Sequence, residues 1–592
     1  MSFFQGLLLF KVIVFFLTFE NDNNQNPRHE PAPAYSTYSV QNEINSLVET
    51  DMNALLAVLE NPQLEGKYLV EDWLFAPGDQ RESIIADYTF KPKNGISVNL
   101  PHRFSEPNHA LWYSKSIDLL EASVIRISAD DGAQLFIDGV QQKRIAGEVF
   151  LLPAGVEIQL NVRVINNAMS GGLKKVGISS KVDYDRFLQE KRRYERYQLL
   201  GQKLKHFRDA DSSMVGAVKL ALKTGDADLL LLAEKHFEDY PYMLSGPYLQ
   251  KPAKDTLHIL METAEKCDCV LLTGKTETNL EVTAHDYNTD LHNFKMVLNP
   301  KDPFLYYRLQ CDRTISRVYK VKLKEDKKAF SFNVWADSQG GWDTFSKFME
   351  NVHESEDVFG IGVGDLVNNG ADAHAWQSFF STLSRAGAEI PFHLLPGNHD
   401  YDGVYDDLNP TLFNRFVRNG GNNNYFSWTY ANCAFIALDP NENFPVGIFE
   451  ASAQYKWFVE QLAAQEWLEA DWRFVLVHQP PFSQGWPGYH GEESIKKLIL
   501  NTAEAGKIDF VISGHTHDYE RLSRPVGNQK VHFLIVGGAG GGLEPQPSSD
   551  FPEMDTVIKA HHIARFHITG KKATIKILGL DNAIMDSLEF SK

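Results

Sequence analysis

Cysteine is scarce in this chain, with four in 592 residues. Cys267 and Cys269 stand too close together for a zinc knuckle, and Cys311 and Cys433 each stand alone. No disulfide framework is therefore expected, and the thiols read as small buried hydrophobes. Positive charge is in deficit as well: 58 Lys and Arg against 77 Asp and Glu give a formal net charge of −19. Such a field repels polyanions and excludes a non-specific nucleic-acid binder. After the N-terminus no apolar run is long enough to span a bilayer. Two motifs are also missing, the Gly-x-x-x-x-Gly-Lys phosphate loop and the His-Glu-x-x-His metalloprotease helix.

What is present points to several domains, since one core rarely grows beyond about 250–300 residues. The opening "MSFFQGLLLFKVIVFFLTFE" is apolar and then turns abruptly polar. It reads as an export signal over 1–20, with a membrane anchor as the second reading. It lacks a basic start, and Lys11 interrupts it. The expected location is exported: secreted, periplasmic or cell-surface.

Residues 66–184 alternate apolar and polar residues between Asp-Gly turns, as in "VIRISADDGAQLFIDGVQ", the pattern of a β-sandwich. The stretch with Asp130, Asp131, Gly132, Asp138 and Gly139 resembles protective-antigen-type sandwiches, which implies calcium and a glycan contact; simple tight turns are the competing reading. Residues 185–238 have helical spacing and form a connector. Strand signals return over 240–326, a length that suits a sandwich of fibronectin type III character. From 328 to 588 short apolar strands alternate with helical segments, the mark of an α/β domain. "GGAGGG" at 537–542 reads as a flexible loop at the rim of the site.

Five strands of that last region end in side chains that can bind metal. In order they supply Asp337 and Gln339; Asp365; Asn398, His399 and Asp400; His478; and His515 with His517. Ligands bind beyond the carboxyl ends of strands in open α/β sheets, so one edge can gather all of them. Gly514 is expected to let the chain turn sharply, and alternation to set His515 and His517 on one side, each facing a different ion. Tyr489 and His490, in "HQPPFSQGWPGYHG", are candidate walls of a substrate pocket.

The series "ADSQ", "GDLVNNG", "GNHD", "VHQPPF", "GHTHDYER" resembles the calcineurin-like metallophosphoesterases. With "SGPYLQKP" ahead of a small β-domain, it is similar to purple acid phosphatases with their fibronectin-like N-terminal domain. The resemblance covers about 241–580 and implies a multidomain chain. In it, an α/β metallophosphoesterase domain, a four-layer α-β-β-α sandwich, is preceded by two β-sandwiches and a helical connector. It further implies two divalent or trivalent ions (Mn, Zn or Fe). Asp337 and His517 would hold the first, Asp365 would bridge, and Asn398, His478 and His515 would complete the second. His399 would donate to the leaving oxygen or the phosphate, with Asp400 orienting its imidazole.

Two positions depart from the family. Gln339 replaces the usual His of the superfamily, or Gly of purple acid phosphatases, as a weaker ligand. Asn368 replaces the iron-binding Tyr, which removes the phenolate and its colour. The implied activity is hydrolysis of a small phosphate ester by a metal-bridging hydroxide, most simply as a phosphomonoesterase of acid phosphatase type. A phosphodiesterase or nucleotidase on the same core is one alternative. A non-catalytic surface binding protein with a degenerate site is the other.

Overall fold

The computed structural model describes residues 61–592 apart from 81–94, 106–108, 130–131, 147, 167–170, most of 207–240, 300, 325–328, 403–408, 421–422, 443–445, 546–547 and 549–552. The expected export signal over 1–20, and Asp130 and Asp131, lie outside the described residues.

The first domain is a sandwich of two antiparallel sheets. One has five strands, with Leu173–Ser180 and Ser123–Ala129 at its centre; the other has six, centred on His109–Leu119 and Gly155–Asn166. Alternation turns Leu111, Tyr113, Ile125, Ile127, Leu160 and Val162 inward to a common core. A helix, Lys181–His206, follows; the amide of Asp183 donates to Ser180 Oγ at 3.0 Å near its start. Most of the remaining expected connector lies outside the described residues.

The next domain is built of strands, as expected. Its six strands, from Met243–Ala253 to Tyr319–Lys322, are hydrogen-bonded into one antiparallel sheet. Two long strands, Thr256–Thr276 and Asn279–Val297, change register several times along their pairing. Irregularities of this kind bend a strand, and the strands enclose a core of Leu257, Ile259, Met261, Leu271, Phe294 and Leu309. The "SGPYLQKP" segment ties this domain to the next. Tyr248 is buried, stacks on Phe380 with ring centroids 4.1 Å apart, and donates its hydroxyl to the Phe416 carbonyl at 2.9 Å.

The C-terminal domain has the four layers expected. Its six-stranded sheet runs parallel through Phe392–Leu395, Asp357–Val363 and Ala329–Trp335, then antiparallel through Ile563–Thr569 to the C-terminal strand Ile584–Ser591. The seven-stranded sheet has four parallel strands, Cys433–Leu438, Trp472–Val477, Phe510–Ser513 and Gln529–Val536. Strands buried on both faces are continuously apolar, and the aromatic layer between the sheets follows from that. Phe332 stacks on Phe359 and Phe566, each at 4.9 Å, and meets Phe435 and Phe474 edge-on. Helices Trp342–His353 and Ala373–Gly387 pack Phe345, Phe348, Trp376 and Phe379 on one outer face. Helices Ala453–Leu462 and Glu493–Gly506 cover the other with Phe458, Ile495 and Ile499.

Candidate metal centre

Three parallel strands of one sheet and two of the other end at one place, each followed by a residue predicted to bind metal. Asp337, Asp365 and Asn398 follow Ala329–Trp335, Asp357–Val363 and Phe392–Leu395 of one sheet. His478, His515 and His517 follow Trp472–Val477 and Phe510–Ser513 of the other. The turns are tight. Asp337, Asp365 and His515 hold left-handed backbones, with φ of 59°, 51° and 74°, a region sparsely populated by non-glycine residues. Gly514 is needed for a reason other than the sharp turn expected of it: His515 makes that turn. A Cβ on Gly514 would stand 2.5 Å from Asp337 Oδ2, so the glycine lets the two loops close on each other.

Two clusters result. In the first, Asp365, His478 and His515 each present a ligand atom within 4.8 Å of the others. His478 donates its Nδ1 hydrogen to the Val363 carbonyl at 2.8 Å. Its Nε2 is thereby aimed at Asp365 Oδ2, 3.1 Å away, yet it has no hydrogen-bond partner among the described residues. Asn398 Oδ1 stands 3.1 Å from His515 Nδ1. In the second cluster, His517 donates Nδ1–H to the Gly542 carbonyl at 2.6 Å. Its Nε2 points at the Gln339 amide, 2.8 Å away, and at Asp337 Oδ1, 3.6 Å away. Asp337 Oδ1 and Gln339 Oε1 are buried without hydrogen-bond partners among the described residues. Rotating the Gln339 amide by half a turn would bring its oxygen beside His517 Nε2.

The electrostatics have the same origin. Burial lifts the Asp337 carboxyl well above the ordinary carboxylate range, and the neighbouring Asp365 charge adds to it. Burial pushes Asp365 the same way, but His478 and His399 outweigh it and hold the carboxyl below that range. Burial alone would lower the His478 imidazole; Asp365 and Asp337 reverse this and lift it to about 9. Burial keeps His515 and His517 low, as neutral imidazoles, the form that binds metal. Two buried carboxylates facing three imidazoles offer a donor set suited to cations between them. Oxygen and imidazole donors without thiolate fit manganese, zinc or iron.

Residues 330–519 match the calcineurin-like phosphoesterase family. The segment is similar to calcineurin-like phosphoesterases. Purple acid phosphatase 1 of Ipomoea batatas is 27% identical over 241 residues, covering 35% of this chain and 50% of that protein. The Fe(3+)-Zn(2+) purple acid phosphatase 12 of Arabidopsis thaliana is 26% identical over 238 residues, covering 34% and 50%. The chain thus spans about half the length of these curated relatives. Among solved structures, the purple acid phosphatase PPD1 of yellow lupin superposes with a TM-score of 0.51 at 13% identity, over 82% of this chain and 92% of that one. That likeness concerns the fold.

Within the C-terminal domain, three expectations need correction. Asp400 does not face the His399 imidazole. Its buried carboxylate accepts from the amides of Leu366 and Val367 through Oδ1, at 2.9 and 3.1 Å, and from Gly397 through Oδ2, at 2.8 Å. The His399 ring is oriented instead by the Asn368 carbonyl, 2.9 Å from Nδ1. The glycine run at 537–542 is not a flexible rim: 537–541 are buried, Gly541 donates to the Asp337 carbonyl at 2.7 Å, and Gly542 fixes His517. Of the two expected pocket walls, Tyr489 is buried 5.6 Å from the His515 ring, whereas His490 is exposed.

Sequence reasoning missed Trp486, which stacks on Tyr489 and lies 5.8 Å from His515, and Glu544, whose Oε1 accepts from the His517 amide at 3.1 Å. The aromatic density of the His478 loop was the available signal for the first; nothing local marked the second.

Proposed function

We propose that this chain hydrolyses phosphate esters at a two-metal centre, most simply as a phosphomonoesterase. The observation that carries the reading is the convergence of buried ligand atoms from both sheets: His478 Nε2, Asp337 Oδ1 and Gln339 Oε1 have no hydrogen-bond partner among the described residues and are aimed inward beside Asp365 and His517. Asp337, Gln339 and His517 would hold one ion, Asn398, His478 and His515 the other, and Asp365 both. When bound, such a pair supplies Lewis acidity toward the phosphoryl oxygens and lowers the pKa of a water.

The remaining work belongs to the chain. Val363 and Gly542 fix the tautomers of His478 and His517, as outer-shell carbonyls do for ligand histidines. Asp365 also accepts from the His399 amide at 2.9 Å, which sets the bridging carboxylate and the turn beside it in one register. With Nδ1 donating to Asn368, His399 keeps Nε2 for a phosphate oxygen or a leaving alkoxide. Trp486 and Tyr489 would wall the side of the site next to His515.

Finer readings belong to the same proposal: export of the chain, a fibronectin type III-like character for 240–326, and a glycan contact on the first sandwich. The deciding experiment measures metal content and p-nitrophenyl phosphate hydrolysis for the wild type and Asp365→Ala. About two ions per chain and activity lost in the variant support the reading. A wild type that stays inactive with manganese or zinc, or a variant as active as its parent, refutes it.

A further inference from the structure

The β-domain over 243–322 gathers a second set of ligand atoms, of different chemistry. The strand Thr256–Thr276 shifts register against Asn279–Val297 between Glu262 and Cys267 and again between Cys267 and Cys269. The shifts bring Cys267 and Cys269 together with His292 of the neighbouring strand. Cys311 lies directly opposite Cys269 on Phe304–Cys311. All four side chains are buried, with ligand atoms within 4.8 Å of one another.

The spacings among Cys267, Cys269 and His292 approach those of one face of a coordination polyhedron, while Cys269 and Cys311 are joined in a disulfide. A tetrahedral zinc with Zn–S of about 2.3 Å and Zn–N of about 2.0–2.1 Å has S···S edges of roughly 3.8 Å and S···N edges of roughly 3.5 Å. Cys267 Sγ lies 3.8 Å from Cys269 Sγ and 3.5 Å from His292 Nε2, and Cys269 Sγ lies 3.2 Å from the same nitrogen. The outer side of the imidazole fits as well. His292 Nδ1 is buried without a hydrogen-bond partner among the described residues and lies 3.7 Å from Asp286 Oδ2. A carboxylate behind a histidine is the usual support for metal binding through the other nitrogen.

We propose that Cys267, Cys269, His292 and Cys311 form a structural zinc site, and that the Cys269–Cys311 disulfide seen here is its oxidised, metal-free alternative. In the interconversion a dithiol reductant gives up two electrons and two protons and becomes a disulfide, while Cys269 and Cys311 become thiols. Zinc then displaces one proton from each of the three thiols and takes the neutral imidazole as fourth ligand. Four protein ligands close the coordination sphere, which makes the site structural and not catalytic. The correction to the sequence reading is physical. Cys269 and Cys311 are 42 residues apart, and only strand pairing reveals them as neighbours.

The test uses the full chain, reduced with a dithiol and then freed of it without air, titrated with cobalt(II). A near-ultraviolet thiolate-to-cobalt band arises at a thiolate site and not at the oxygen and nitrogen centre around Asp365, so the outcome is independent of the phosphoesterase reading. The band should appear in the wild type and in Asp365→Ala, vanish on adding equimolar zinc, and be lost in Cys267→Ser. His292→Cys, with a fourth thiolate, should strengthen it. A reduced wild type without the band, or a band unchanged in Cys267→Ser, overturns the proposal. Where Cys267→Ser fails to fold, His292→Cys decides: a stronger band supports the site and an unchanged one overturns it.

Discussion

Asp400→Asn separates two roles that the sequence alone runs together. Burial and the Asp365 charge raise the Asp400 carboxyl, while three backbone amides that donate to its two oxygens oppose them. In the variant one oxygen can still accept from Leu366 and Val367, while the new NH2 group confronts the Gly397 amide. One charge-assisted hydrogen bond is lost, two become neutral, and a buried N–H is left unmatched. At about 1.5–3 kcal/mol for each bond to a charged group, the net loss is about 3 kcal/mol. For a domain of this size that lowers Tm by about 6–12 °C. Activity should fall too, because the three amides flank Asp365 and Asn398. The assay is a thermal melt and p-nitrophenyl phosphate turnover for Asp400→Asn, His399→Ala and the double variant. A residue that pins the loop gives a Tm loss that persists beside His399→Ala, and losses in turnover that multiply. An unchanged Tm, with the turnover loss vanishing in the His399→Ala background, would refute this and restore Asp400 as a partner of the imidazole.

Three further outcomes follow from the structure. Burial lifts the Asp439 carboxyl to about 6, although it accepts from the Tyr401 hydroxyl at 2.7 Å. Its folded pKa lies above its unfolded one, so its contribution is complete below about pH 4 and lost as pH rises through 6; against Asp439→Asn, the wild type should lose about 3 kcal/mol across that window, and parallel stability curves in chemical denaturation would contradict this. Tyr248→Phe removes the bond to the Phe416 carbonyl but keeps the stacking on Phe380; calorimetry should show about 1 kcal/mol lost. Gln339→His puts an imidazole beside His517 Nε2, and the metal concentration for half-maximal activity should fall about tenfold; no change would mean that position 339 does not ligate.

The reach of sequence reasoning followed the range of the interactions. The strand-end residues were legible because each follows a short, mostly apolar strand, and order along the chain maps directly onto order along a parallel sheet. The pairing of Cys269 with Cys311 was not, since it depends on the register of strands far apart in sequence. Asp400 was misread for a local reason: His399 and Asp400 are adjacent in a short 3-10 turn, which points their side chains in different directions. The 537–542 glycines signal a loop in any context, and only the approach of His517 and Asp337 shows that they are packed. The single continuous sheet over 243–322 arises from register shifts that no composition betrays.

The left-handed backbones of Asp337, Asp365 and His515 bear on how this domain would respond to selection. A side chain in that region is strained by about 1–3 kcal/mol, which glycine relieves. Glycine at any of the three would also remove a buried carboxylate or an imidazole. A screen that rewards heat resistance alone would therefore favour variants with the centre erased. Stability and chemistry pull against each other at these three residues, and only a screen that scores turnover would keep them.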